Sequence, residues 1–157
     1  MTRSLVVACA VATAIGASTT GARAQTCTGT QVNVRTVAPN PIAFGTATDA
    51  MFLTGYVNLT VTVTSNRQTG TVKLCARSTA ANMGTSTPPG YTKPLADLRA
   101  GPAAAPIAMT QTYQFLMQQA VNNARATFTV TVRVMLSYAN DRPGTYNAAS
   151  LQFAAWR

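Results

Sequence analysis

Neither histidine nor glutamate occurs anywhere in the 157 residues. Their absence removes the Ser-His-Asp triad, the Cys-His dyad and every His-based metal site together. Side-chain carboxylates are limited to Asp49, Asp97 and Asp141. A glycosidase pair would have to be drawn from these three, and the sequence pattern places them in three separate loops. Asp141, close to Pro143 and Gly144, reads as a turn residue, because aspartate hydrogen-bonds its own backbone in turns. No phosphate-cradling Gly loop and no Cys-rich metal motif is present. The inventory argues against an enzyme and calls for no cofactor.

Cysteine is scarce as well, at Cys9, Cys27 and Cys75. Cys9 lies in the only long apolar stretch, residues 5–15, which follows Arg3 and precedes Ala22-Arg23-Ala24. A basic start, a short apolar run and a small-x-small site describe a signal peptide over residues 1–24, cleaved before Gln25. The run is shorter than the roughly 20 residues a membrane helix needs. Using Cys9 as a lipoprotein site would leave almost no apolar run. After cleavage, no transmembrane segment is expected. Residues 25–157 then form one domain with room for a real core. Only Cys27 and Cys75 remain in it, and in an oxidising compartment a lone pair is expected to form a disulfide.

Acidic charge is in deficit too. Loss of Arg3 and Arg23 with the leader takes the formal charge from +9 to +7, ten basic residues against three acidic. The basic residues stand singly, with no basic run and no aromatic-basic motif, so a solvated basic surface is expected in place of specific nucleic-acid binding. Weak attraction to anionic surfaces is compatible with the balance.

Threonine and valine are abundant, and lysine is restricted to Lys73 and Lys93. This composition favours strands over helices. In residues 126–138, Phe128, Val130, Val132, Val134, Leu136 and Tyr138 share one face and Thr127, Thr129, Thr131, Arg133, Met135 and Ser137 the other. In residues 57–64, Val57, Leu59, Val61 and Val63 alternate with Asn58, Thr60, Thr62 and Thr64. The triplet Asn58-Leu59-Thr60 matches a glycosylation sequon, but inside such a strand the strand reading is preferred. Residues 65–70 read as a hairpin connection into a strand over 71–77. Further strands are expected at 31–37, 52–56 and 112–117, with a loop after the last, and a terminal strand at 146–156. In that terminal strand, Leu151 and Phe153 have one parity and Tyr146 and Trp156 the other, so a bulge near Ala149-Ser150 is expected to restore a common inward face. Residues 79–106 are rich in Pro, Gly and Ala and read as a long surface connection with one turn near Leu95–Leu98. The fold class that follows is an all-β antiparallel sandwich.

Several of these features together resemble one family. Cys27 near the start of the mature chain, Ile42-Ala43-Phe44-Gly45, a Val-Thr strand leading to Cys75, and Pro143-Gly144-Thr145-Tyr146 before a terminal strand are similar to the spore-coat-U-like domain of archaic chaperone-usher pilins. The resemblance implies an incomplete immunoglobulin-like sandwich, exported to the periplasm and on to the cell surface. There a periplasmic chaperone, an usher and a neighbouring pilus subunit would be its partners, and a borrowed strand would fill the open edge. Trp156, second from the end, is similar to the aromatic at chaperone-recognised pilin C-termini. Leu151, Phe153 and Trp156 are therefore the candidate edge for a partner strand. Only Gln25 and Thr26 precede Cys27 after the expected cleavage, which points to a terminal or tip-type subunit; residues 31–37 could donate a strand only if absent from their own sheet. The expected role is a structural or adhesive fimbria-type subunit. The alternative is a self-contained secreted sandwich that binds an unspecified ligand.

Overall fold

The computed structural model describes residues 26–83 and 91–157. The expected signal peptide, Cys9 included, and the Pro-Pro-Gly stretch at 88–90 lie outside the described residues. Among the described residues, nine strands and one short α-helix occur in the order β1 (Gln31–Val32), β2 (Val34–Ala38), β3 (Ala43–Thr46), α1 (Asp49–Thr54), β4 (Tyr56–Ser78), β5 (Leu98–Gly101), β6 (Ile107–Ala108), β7 (Gln114–Met135), β8 (Thr145–Asn147) and β9 (Leu151–Trp156), with one 3-10 turn at Leu95–Asp97 just before β5. The fold is an all-β antiparallel sandwich, as its composition and alternation predict.

Its frame is a single antiparallel ribbon of two long strands. β4 and β7 pair from Tyr56↔Met135 to Ala76↔Gln114, with register shifts between Thr64 and Arg67, Gln68 and Gly70, and Leu74 and Cys75. These irregularities bend the ribbon and change the inward set on β4 from odd residues (Val61, Val63) to even ones (Val72, Leu74, Ala76), all of which enter one buried cluster. One half of the ribbon carries β2 on β4 and β5 then β6 on β7, while the other half carries β9 and then β1 on β4. β3 and β8 form a separate small sheet. Both halves turn their apolar faces to a common core, in which Val130, Val132 and Val134 are fully buried.

The strand pairing places Val57 opposite Val134, Leu59 opposite Val132, Val61 opposite Val130 and Val63 opposite Phe128. The predicted inward face is thus real from Val57 to Leu136. It stops short of Tyr138, which lies beyond β7, is 58% exposed and stacks its ring on Phe52 at 4.9 Å.

Five expectations are corrected. Residues 65–70 are no hairpin, and residues 118–125 are no loop, because each continues its strand against the other across the bend. Residues 52–56 do not make a strand. Asp49–Thr54 is helical, with an acidic residue in its first turn, and Gly55 at φ 79° closes it by donating to the carbonyls of Met51 and Phe52. The long connection contains β5, whose Leu98 and Ala100 are fully buried against β7. Finally, the terminal stretch holds two strands in different sheets, separated by a turn at Ala149-Ser150 in place of a bulge.

Candidate functional site

β9 begins at that turn, where the Leu151 N–H donates to the Ala148 carbonyl at 3.0 Å. It pairs with β4 from Leu151↔Ser78 to Trp156↔Lys73. In an antiparallel ladder, main-chain groups face alternate sides residue by residue. Ser150 accepts from the Thr79 N–H at 2.8 Å on the β4 side, whereas Arg157 exchanges bonds with Thr30 at 2.9 and 3.0 Å on the other side. By the same parity, Phe153 aims its N–H and C=O, and Leu151 its C=O, away from β4.

That outer side is only partly filled. β1 pairs with Ala155 and Trp156, and then the chain departs: the Asn33 carbonyl accepts from Asn66 at 3.0 Å and residues 34–38 join β4 as β2. Residues 31–37 therefore lie in their own sheets and are not held out as a donor. Pro39 and Pro41 follow, and proline has no N–H to offer a ladder. What is left between β2 and the Leu151–Phe153 stretch is a groove of about 410 Å³, lined by Val37, Pro41, Ile42, Leu151 and Phe153 among others. The floor is apolar and the wall is an open strand edge, a combination suited to an extended peptide.

Of the three candidate edge residues, Leu151 and Phe153 are brought together here, packed into the main core. Trp156 is not. With no bulge in β9, Trp156 keeps its opposite parity and faces the outside of the sheet, in a second cluster with Cys75, Ala154, Cys27, Tyr113 and Phe115. Tyr113 meets its indole edge-on at 4.8 Å, and the Arg77 guanidinium lies 4.6 Å above the Tyr113 ring. Beneath them Cys27 and Cys75 are joined in the expected disulfide. Gly29, at φ 121°, lets this N-terminal segment close down, since a Cβ there would lie 2.3 Å from the Arg157 carbonyl oxygen.

The structure also assembles a polar centre that the residue pattern did not reveal. Lys93 is buried, and its Nζ lies 2.5 Å from Asp141 Oδ1 and 2.8 Å from Asp97 Oδ2. Asp141 Oδ1 also accepts from the Tyr91 hydroxyl, and Oδ2 accepts from the Ser137 N–H at 2.7 Å. Asp141 is thus more than a turn residue, and two of the three aspartates expected in separate loops meet on one ammonium. Nearby, the Tyr146 hydroxyl donates to the Arg142 carbonyl at 2.6 Å, a local tie like the tyrosine corner of immunoglobulin sandwiches. Burial first, and the Asp141 carboxylate next, push the Tyr91 and Tyr146 hydroxyls above the ordinary tyrosine range. Because their folded-state values exceed the unfolded ones, the stability they contribute is complete below about pH 10 and is lost as pH rises further. Thermal melts should therefore fall steeply above about pH 10. The Tyr91→Phe chain should start lower and lose less over the same range; parallel curves for the two proteins would contradict this.

Among the described residues no group of three or more His, Cys, Asp or Glu could hold a metal ion, and no helix is long and apolar enough to cross a membrane. No protein-family model matches the chain, and no curated protein does. Two solved structures are similar in fold. One is the P pilus rod subunit PapA, at 12% identity and a TM-score of 0.51 over 79% of this chain and 96% of that one. The other is a chaperone-usher pilus solved in connection with rod uncoiling, at 12% identity and a TM-score of 0.50 over 98% of each chain. At that identity the likeness is one of fold.

Proposed function

We propose that the chain is an exported subunit of a pilus- or fimbria-type fibre, and that it takes an extended segment of a partner chain along the outer edge of β9. In this reading residues 1–24 are removed on export, residues 25–157 act as one domain of the spore-coat-U type, and the role is structural or adhesive without catalysis. The observation that carries the proposal is the outward-facing main chain of Leu151 and Phe153 beside an apolar groove. The fold shared with chaperone-usher pilus subunits supports it. A periplasmic chaperone, an usher-bound subunit or a neighbour in the fibre would each present the same chemistry, a strand whose backbone bonds to β9 and whose alternate apolar side chains enter the groove.

The test uses a synthetic extended peptide with alternating apolar residues. At about a hundredfold excess over its Kd it should add roughly 2.7 kcal/mol of stability. A rise in Tm on the order of 10 °C follows for a domain of this size. The same peptide with N-methylated backbone amides should add nothing. In hydrogen exchange the Phe153 amide should be fast in the free chain and slow in the complex. A free chain whose Phe153 amide is already protected, and whose Tm ignores the peptide, would favour the self-contained binding module.

A further inference from the structure

On the half-sandwich formed by β2, the start of β4, the end of β7 and β5, the outer face is laid out in rows. Three cross-strand rows are threonine against threonine: Thr60↔Thr131, Thr62↔Thr129 and Thr64↔Thr127. At one end of this hydroxyl floor Arg67 stands directly opposite Arg125, and at the other Arg99 stands directly opposite Arg133. Like charges placed directly across a ladder are destabilising, so a like-charged pair at each end of one face is unexpected on stability grounds alone.

No neighbouring carboxylate relieves these pairs. Among the described residues the ion pairs are those of Lys93, with Asp97 and Asp141, and the remaining acid, Asp49, opens α1. The guanidinium of Arg133 is already oriented: it lies 4.2 Å above the Tyr56 ring, and its Nε donates to Asn58 Oδ1 at 2.8 Å. Its two terminal amino groups remain for a planar anion, the geometry in which arginine binds carboxylate or sulfate through two parallel bonds. The Nε of Arg99 is buried with no partner in the fold.

We infer that this face binds a linear acidic polysaccharide, with the arginine pairs holding carboxylates or sulfates at its two ends and the threonine floor bonding sugar hydroxyls between them. From Arg125 to Arg133 the strand runs roughly 26 Å, a span for an extended chain of several sugars rather than a single anion. Single-stranded nucleic acid is the poorer occupant, because it is held by stacking on aromatic faces, and the Tyr56 ring on this face is covered by Arg133. The inference is independent of the β9 groove, which opens between β2 and β9 and shares none of these residues.

Binding of polyuronate oligosaccharides of defined length to the exported chain tests it, by titration calorimetry at low salt. Arg125→Ala and Arg133→Ala should each weaken binding about tenfold, the worth of one charge-assisted contact. Thr129→Val should weaken it about threefold with the charge unchanged. Arg142→Ala removes the same charge from an exposed position off this face, and in titrations repeated at about 0.15 M salt, where charges are screened beyond about 8 Å, it should change Kd less than about twofold. Circular dichroism melts confirm that each variant is folded, and Arg125, being exposed, is the safeguard if Arg133→Ala is unstable. Equal losses for Arg142→Ala and Arg125→Ala would reduce the effect to net charge and overturn the inference. So would an oligothymidylate that binds as tightly as the polyuronate, or no binding to the polyuronate at low salt. Saturating the β9 groove with the strand peptide should leave polyuronate affinity unchanged.

Discussion

Asp141→Asn should lower the stability of the folded chain by about 3–5 kcal/mol, the range found when one member of a buried ion pair is removed. The loss arises from what is left behind. The Lys93 ammonium, 1% exposed, would lose its 2.5 Å partner and keep only Asp97, whose side chain is 36% exposed and so holds the charge in a wetter, weaker field. Asparagine would also set its amide nitrogen against a donor whichever way it turns, the Ser137 N–H at the Oδ2 position or the Tyr91 hydroxyl and the ammonium at the Oδ1 position. Against a total stability of about 5–15 kcal/mol, this is enough to leave a substantial fraction unfolded at 37 °C. The double variant Lys93→Met with Asp141→Asn should recover part of the loss, because no charge is then stranded without a partner. Urea midpoints measured at one pH separate the cases. A single variant as stable as the parent would show that water reaches Lys93 and that the pair is not holding the loops together.

The division between what the residues announced and what they concealed follows burial. Val57–Val63 and Phe128–Leu136 could be read because each alternates against one core, and their pairing joins the two faces residue by residue. The middle of the ribbon could not. Residues 66–71 and 118–125 are mostly exposed, with Arg, Gln, Asn and Thr on both faces, so there is no alternation to read and the strand is held by pairing alone. α1 was hidden because a six-residue helix burying only Phe52 has too short a period to tell from a strand. Lys93 sits between a threonine and a proline like any loop lysine, and nothing local signals that Asp141, far along the chain, will bury it. At the candidate edge, Leu151 and Phe153 were legible by parity. Trp156 was misplaced because an inward face was assumed for every large apolar residue, whereas the disulfide and Tyr113 give the outer face a small core of its own.

That outer core gives the disulfide a second task, and with it a large expected effect. Cys27 and Cys75 are 48 positions apart, and releasing a loop of that length frees denatured-state entropy worth about 4 kcal/mol in the chain-entropy model. Replacing Cys27 with serine and Cys75, fully buried, with alanine should therefore lower the urea midpoint by the corresponding amount. The loss should also be uneven. β1 is two residues long, too short to stay paired without the covalent tie just before it, so the Val32 and Ala155 amides should exchange early while Val130 and Val132 stay protected until global unfolding. Trp156, 9% exposed beside the bond, should shift its fluorescence to the red as the segment lifts. Once β1 is gone, the open edge of β9 lengthens from Leu151–Phe153 to its end, so a strand peptide extended by two residues should gain affinity in the disulfide-free chain and none in the oxidised one. Equal affinities for the longer peptide in both forms would mean that β1 does not close the groove, and an unchanged urea midpoint would mean that the clamp adds nothing to the fold.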